Sequence, residues 1–91
     1  MSSPIKIPLS ESQKNLLQRK EITTMVEPEM ARTLSAILLK GNKHYLCMDA
    51  MDLDELIGMI CFVANHEMKD FELGKQFDRL SAYLEKFLDE E

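Results

Sequence analysis

Both histidines and both cysteines of this chain lie within one stretch, as His44-x2-Cys47 and Cys61-x4-His66. These side chain types ligate structural zinc when four of them converge tetrahedrally. Residues three apart on a strand point to opposite faces, and residues five apart on a helix point about 140° apart. The spacing therefore favours buried thiols and partly exposed histidines over a zinc site, and we expect neither a metal nor another cofactor.

An acidic cluster follows Cys47 and suggests a second metal chemistry, that of calcium. Its members are Asp49, Asp52, Asp54 and Glu55. An EF-hand loop takes oxygen ligands at positions 1, 3 and 5 and needs glycine at position 6. These acids follow a different spacing, and no glycine stands at the required turn. A helix that begins with Asp52 as its N-cap and Glu55 at the third position explains the cluster without an ion.

Nucleophilic catalysis by a cysteine–histidine pair is the remaining chemistry these residue types offer. A reactive thiolate needs an electropositive and partly exposed setting. Cys61 lies in the apolar run MICFVA, and Cys47 stands two residues from Asp49. The chain also has only three glycines and none of the common catalytic motifs. We therefore expect that the protein is not an enzyme.

One short polar segment, Asn65-His66-Glu67, interrupts the apolar character of its surroundings. Its side chains could form the lip of a cleft, which makes it the candidate polar site of this sequence. The alternative is structural: Asn65 or His66 satisfies the last carbonyls of a helix. The sequence favours the structural interpretation and leaves both open.

The elements that position these residues are predicted to be mainly α-helical. Capping residues and apolar periodicity indicate four helices and two extended segments that can pair as a minimal two-stranded ladder. The helices are predicted at 11–21, 28–41, 53–66 and 70–88, and the strands near 4–9 and 43–48. In the second helix, Gly41 is expected to be the residue that ends it.

The last two predicted helices carry more apolar surface than one short chain easily covers. In the fourth, apolar residues step by 4, 3, 4 and 3, which is a heptad-like seam. In the third, the run 59–64 is apolar in every direction around the axis. We therefore predict a homodimer that forms through these helices, with the candidate interface residues Leu73, Phe77, Leu80, Leu84, Phe87, Met59 and Phe62. Met48, Met51 and Met68 flank the third helix, and any of them that is exposed would also mark an interface.

The core is expected to form from apolar residues of all these elements, namely Leu34, Ile37, Leu38, Leu46, Leu56, Ile57, Ile60, Phe77, Leu80 and Leu84. With 91 residues, the chain is expected to be one small domain, 1–91. A shift of 42 residues relates strand–helix–helix units at 4–41 and 43–88, which suggests a pseudo-repeat. Residues 89–91 are expected to be a solvated tail.

Charge is distributed unevenly along the chain. The net charge is −5, and it divides into +3 for residues 1–48 and −8 for residues 49–91. The Lys and Arg residues are scattered, which disfavours nucleic-acid binding. No segment is long and apolar enough for a membrane span, no secretory signal is evident, and two cysteines make no disulfide framework, so we expect a cytoplasmic protein.

Two functions remain consistent with these patterns. The first is a small protein-interaction or regulatory module without catalysis, which associates with itself or with another protein. The second is an acidic decoy that occupies the nucleic-acid site of another protein by presenting carboxylates in place of phosphates.

Overall fold

The fold is mainly α-helical, as predicted, with a small antiparallel sheet. The computed structural model describes residues 4–41, 43–67 and 70–89. Along the chain its elements are β1 (Ile5–Leu9), α1 (Glu11–Leu17), α2 (Lys20–Thr23), α3 (Pro28–Ser35), β2 (Leu38–Lys40), β3 (Lys43–Met48), α4 (Ala50–Phe62), a π-helical turn (Val63–Glu67) and α5 (Phe71–Asp89). The helix predicted at 11–21 is thus two short helices, and the other three predicted helices are each present.

Side-chain hydrogen bonds cap the starts of α1 and α4, whereas the N-cap residues of α2 and α3 make none. At α1 the predicted capping box is present, because Gln13 N donates to Ser10 Oγ at 3.1 Å and Ser10 N donates to Gln13 Oε1 at 2.9 Å. The prediction of Asp52 as the cap of α4 is wrong. Asp49 is the N-cap, and it accepts a 2.8 Å hydrogen bond from Asp52 N.

The predicted ladder between the two extended segments is confirmed. β1 and β3 pair in antiparallel fashion from Ile5 opposite Met48 to Leu9 opposite His44. β2 adds a third strand on the other side of β3, so that the strand order is β1-β3-β2. The sheet joins the two halves of the chain, since β1 begins the first half and β3 begins the second.

The helix predicted at 28–41 is wrong in its last part. It ends at Ser35, and Leu38–Lys40 form β2. Lys40 pairs with Lys43 across a tight turn, and Gly41 takes a φ of 63° there rather than ending a helix. Glycine suits this turn because a positive φ costs it no Cβ clash. The apolar run before Gly41 resembles a helical pattern, since a short fully apolar segment has no distinguishing period.

The buried side chains form one cluster to which every long element contributes. Eight of the ten predicted core residues are among them, while Ile37 is only half-buried and the Leu38 side chain lies outside the description. The prediction missed several other core residues, namely Ile7, Leu9, Leu17, Ile22, Met30, Met48, Leu53 and Val63. The radius of gyration of 12.4 Å agrees with about 12 Å for a single domain of this length.

The seam of α5 packs against the chain's own core. Phe77 and Leu84 are completely buried and Leu80 is 2 % exposed, while Leu73 and Phe87 are half-buried against the same cluster. The side chain of Tyr83, on the same helix, donates a hydrogen bond to the carbonyl oxygen of Pro8. α5 therefore packs against β1 and α4 of the same chain.

The two halves of the chain differ in their elements, since the first runs β1-α1-α2-α3-β2 and the second runs β3-α4-α5 with a π-helical turn between its helices, and the predicted shift of 42 does not align their caps. Ser10 and Asp49, which cap the first helix after each strand, are 39 positions apart. The duplication itself stays a prediction.

The predicted tail overlaps α5, which continues to Asp89, and residues 90–91 lie outside the description. None of the helices in the described part of the chain combines the length and apolar character needed to cross a bilayer.

Candidate functional site

The histidines and cysteines singled out in the sequence lie at several separate places. On β3, the half-buried His44 and the exposed Cys47 occupy opposite faces, as their spacing predicts. The expectation that both thiols are buried is wrong for Cys47, because its position alternates with the inward-facing Leu46 and Met48. Cys61 is half-buried against the core. Among the described residues, no three His, Cys, Asp or Glu side chains lie close enough to hold a metal ion.

The candidate polar site falls on the π-helical turn that follows α4. Asn65 is exposed there, while the side chains of His66 and Glu67 lie outside the description. A π-helical turn is rare and is found frequently at functional sites. The polar site at Asn65, His66 and Glu67 therefore stays a prediction.

The predicted interface residues divide into covered and accessible ones. Phe77, Leu80 and Leu84 are used inside the chain. The accessible surface on these two helices includes Phe62, which is 42 % exposed, and the half-buried Met59. Of the flanking methionines, Met51 is 83 % exposed and Met48 is buried, while Met68 lies outside the described residues, so an interface at Met51 stays a prediction. Leu73 and Phe87 are half-buried, so the interface prediction stays open for the accessible side chains of α4 and α5.

A groove between α3 and α4 combines apolar and acidic side chains in the described part of the chain. It has a volume of about 330 Å³, which lies at the lower end of the range typical of binding pockets. Four methionines and four acidic residues account for eight of the ten lining residues. We call this surface the methionine groove, and it is lined by Met25, Val26, Glu27, Glu29, Met30, Thr33, Met48, Asp52, Glu55 and Met59.

The methionine groove has an apolar floor. Met30 and Met48 are buried, Met59 is half-buried, and Met25 at the edge is 39 % exposed. Methionine side chains are unbranched and polarisable, so they adapt to partners of irregular shape and make favourable contacts with aromatic rings. Along α4 the groove extends from Asp52 to Met59, which corresponds to about 10 Å of helix. This floor is suited to an inserted apolar side chain.

The rim of the methionine groove is uniformly acidic. Glu27 and Glu29 stand on the side of α3, and Asp52 and Glu55 on the side of α4, all four of them exposed. In the described part of the chain no Lys or Arg lines the groove, and the one ion pair is Arg19–Glu21, which lies elsewhere. The carboxylates of the rim are therefore available to a positively charged partner.

Helix capping accounts for part of this charge. Glu27 is the N-cap residue of α3, and Glu29 and Asp52 lie in the first turns of α3 and α4, where negative charge stabilises a helix. Glu55 lies beyond the first turn, so the helix dipole does not explain it. The convergence of all four acids around one apolar floor is a property of the tertiary fold.

Two other depressions among the described residues are chemically less distinct. One, of about 240 Å³, lies beside Tyr45 and Cys47. The other, of about 360 Å³, is shallower and lies between α1 and α5, where Arg79 and polar side chains such as Gln13 line it. Neither combines an apolar floor with a rim of one charge sign.

Comparisons of the chain with protein-family models, with curated proteins and with solved structures found no match.

The methionine groove was not foreseen from the sequence. Its lining comes from the α2–α3 link, α3, the end of β3 and α4, so that residues 25 and 59 meet only in the folded chain. The one available signal was the abundance of methionine, with seven residues in 91, which indicates either core filling or an adaptable surface.

Proposed function

We propose that this protein is a small cytoplasmic protein-interaction module without catalysis, and that a partner docks in the methionine groove. The observation that carries this proposal is the combination of a methionine floor with a rim whose four charges are all negative. A complementary partner supplies an apolar side chain to the floor and positive charge to the rim. The cytoplasmic location is supported by the two free cysteines, which suit a reducing compartment.

The decoy function remains a second candidate because the start of α4 is acidic beyond the groove. Asp49 and Asp54 are exposed there in addition to Asp52 and Glu55. A decoy acts through charge alone and needs no apolar floor. The two functions therefore differ in whether the methionines contribute to binding.

A binding experiment with three synthetic peptides separates these functions. The first peptide is a helix of about 14 residues, long enough to hold some helical structure alone, with two leucines one turn apart and flanking lysines. The second replaces its leucines with serine, and the third replaces its lysines with glutamine. The interaction module binds the first peptide more tightly than either control, and more weakly at high salt. A decoy binds the first and second peptides equally.

Matched variants of the protein locate the binding surface in the same experiment. Met25→Gln with Met59→Gln places polar groups on the floor, and Met51→Gln is the control, since Met51 is 83 % exposed and does not line the groove. The floor variant should lose affinity for the first peptide while the control binds as the wild type does. Equal binding by both variants, or no binding of any peptide, would contradict the proposed function.

A further inference from the structure

We infer that the occupant of the methionine groove is a second copy of this chain, which inserts Phe71 of α5 with the ammonium group of Lys75 beside it. This inference rests on the proposed function, because it names the partner of the same groove. It places the contact outside the seam of α5, in which Phe77, Leu80 and Leu84 are buried within the chain.

Phe71 is an apolar side chain in an unusual position. It is 75 % exposed at the start of α5, and the Lys75 ammonium lies 4.6 Å from the centroid of its ring. A cation over an aromatic face is attracted by the ring quadrupole, so the positive charge is held beside the ring. Phe71 and Lys75 therefore present an apolar ring and a positive charge together, which complement the apolar floor and the acidic rim of the methionine groove.

The size of the groove fits this side chain. Its volume is about 330 Å³, and an apolar cavity of roughly 150 Å³ is enough to admit benzene. Contacts between methionine sulfur and an aromatic ring are favourable, and four methionines line the groove. A phenylalanine ring can therefore fill the floor and leave space for the lysine stem.

Two basic residues of α5 follow Phe71 on its side of the helix, together with the exposed Asp78, which lies about 20° from Phe71 around the helix axis. Arg79 follows Lys75 by one turn, so Phe71, Lys75 and Arg79 form a stripe about 12 Å long, comparable with the groove along α4. Asp70 and Glu72 flank Phe71 in sequence. The Asp70 carboxylate accepts hydrogen bonds from Glu72 N and Leu73 N, and Glu72 is rotated about 100° from Phe71 around the helix axis.

A charge-swap experiment tests this contact in the full-length chain. Lys75→Glu and Glu55→Lys each place like charges across the contact and should weaken self-association by about 3- to 30-fold, since each reverses an exposed pair. In an equimolar mixture of the two variants, the new glutamate of one chain faces the new lysine of the other, and the unchanged Lys75 faces the unchanged Glu55. Association should therefore return. Salt titration is a poorer test, because both copies carry a net charge of −5 and screening also reduces their mutual repulsion.

The matched controls are Lys86→Glu and Glu85→Lys, which change the net charge equally at exposed positions of α5 outside the stripe and the groove. They should associate as the wild type does. Phe71→Ala removes the anchor and should weaken association by at least about tenfold. Because all of these positions are exposed, the variants should keep the wild-type circular dichroism spectrum.

The measurement is sedimentation velocity from about 1 μM to about 1 mM, a range that reaches weak dissociation constants. A concentration-dependent wild-type dimer that the single swaps weaken and the mixture restores supports the inference. A wild-type chain that stays monomeric throughout overturns it, and so does a dimer that Phe71→Ala leaves unchanged. In either case the peptide experiment decides separately whether the groove binds a partner.

Discussion

Truncating a buried and an exposed side chain of α5 tests whether its seam belongs to the chain's own core. Leu84 is completely buried, whereas Phe71 is 75 % exposed. Leu84→Ala removes methyl groups from a packed core and should lower the free energy of unfolding by about 2–5 kcal/mol. For a chain of 91 residues the whole free energy of unfolding is only about 5–14 kcal/mol. Phe71→Ala removes a larger side chain but should cost less than about 0.5 kcal/mol.

Urea unfolding followed by circular dichroism, at about 1 μM and about 10 μM protein, measures both effects. The loss caused by Leu84→Ala should be the same at the two concentrations, because the contacts it removes lie within one chain. If Leu84 instead packed against a second subunit, its loss would depend on concentration by mass action. Such a dependence, or a Leu84→Ala variant as stable as the wild type, would refute the assignment of the seam to the core.

Four further substitutions should change the stability and are checked by the same unfolding measurement. Gly58 is in the middle of α4, where an added Cβ would meet no atom within 4 Å beyond the helix's own backbone. Gly58→Ala should therefore stabilise the protein by about 0.5–1 kcal/mol. Gly41→Ala should destabilise it by about 1 kcal/mol, because Gly41 has a φ of 63°. Asp49→Ala should cost about 1 kcal/mol, since it removes the N-cap of α4; an unchanged stability would contradict the cap assignment. Burial raises the pKa of Tyr83 above its ordinary value of 10.0, so the neutral phenol that donates to Pro8 is favoured in the folded state. The stabilisation by this phenol is complete below about pH 10 and is lost as the pH rises through the raised pKa. The Tyr83→Phe variant should therefore be less stable than the wild type at pH 8, and its free energy of unfolding should fall less steeply above pH 10. Parallel pH profiles of the two proteins would contradict this.

Features of the fold that depend on local sequence were predictable. The capping box at Ser10 and the start of α3 at Pro28 follow from local side-chain chemistry, and the extended segments β1 and β3 follow from apolar patterns. The errors arose where two local explanations compete. Asp49 and Asp52 are both good caps, and in the structure it is Asp49, directly after the end of β3, that caps α4.

The strand β2 was missed for a related reason. Leu38–Lys40 continue the apolar pattern of α3, although Gly41-Asn42 between two apolar runs is a recognised hairpin signal. Three of the predicted interface residues, Phe77, Leu80 and Leu84, are buried in the chain's own core, while the homodimer itself stays a prediction. Ile7 and Leu9 of β1 join the core, and their contribution was not counted from the sequence.

The candidate site was less predictable than the fold, because it depends on tertiary contacts. Glu27 and Glu55 are 28 positions apart in sequence, and nothing in their neighbourhoods indicates that they share a rim. Phe71 was likewise not singled out from the sequence. Its exposure and its contact with Lys75 are visible only in the folded chain.

Methionine methyl resonances provide the most direct test that the methionine groove is the binding surface. With the methyl groups labelled with carbon-13, spectra are recorded as the protein concentration is raised and, separately, as the lysine–leucine peptide is added. The account predicts that the methyl signals of Met25, Met30, Met48 and Met59 shift together while that of the exposed Met51 stays in place. Shifts at Met51 without shifts at Met30 and Met48 would contradict it, and would place the interaction on the outer face of α4.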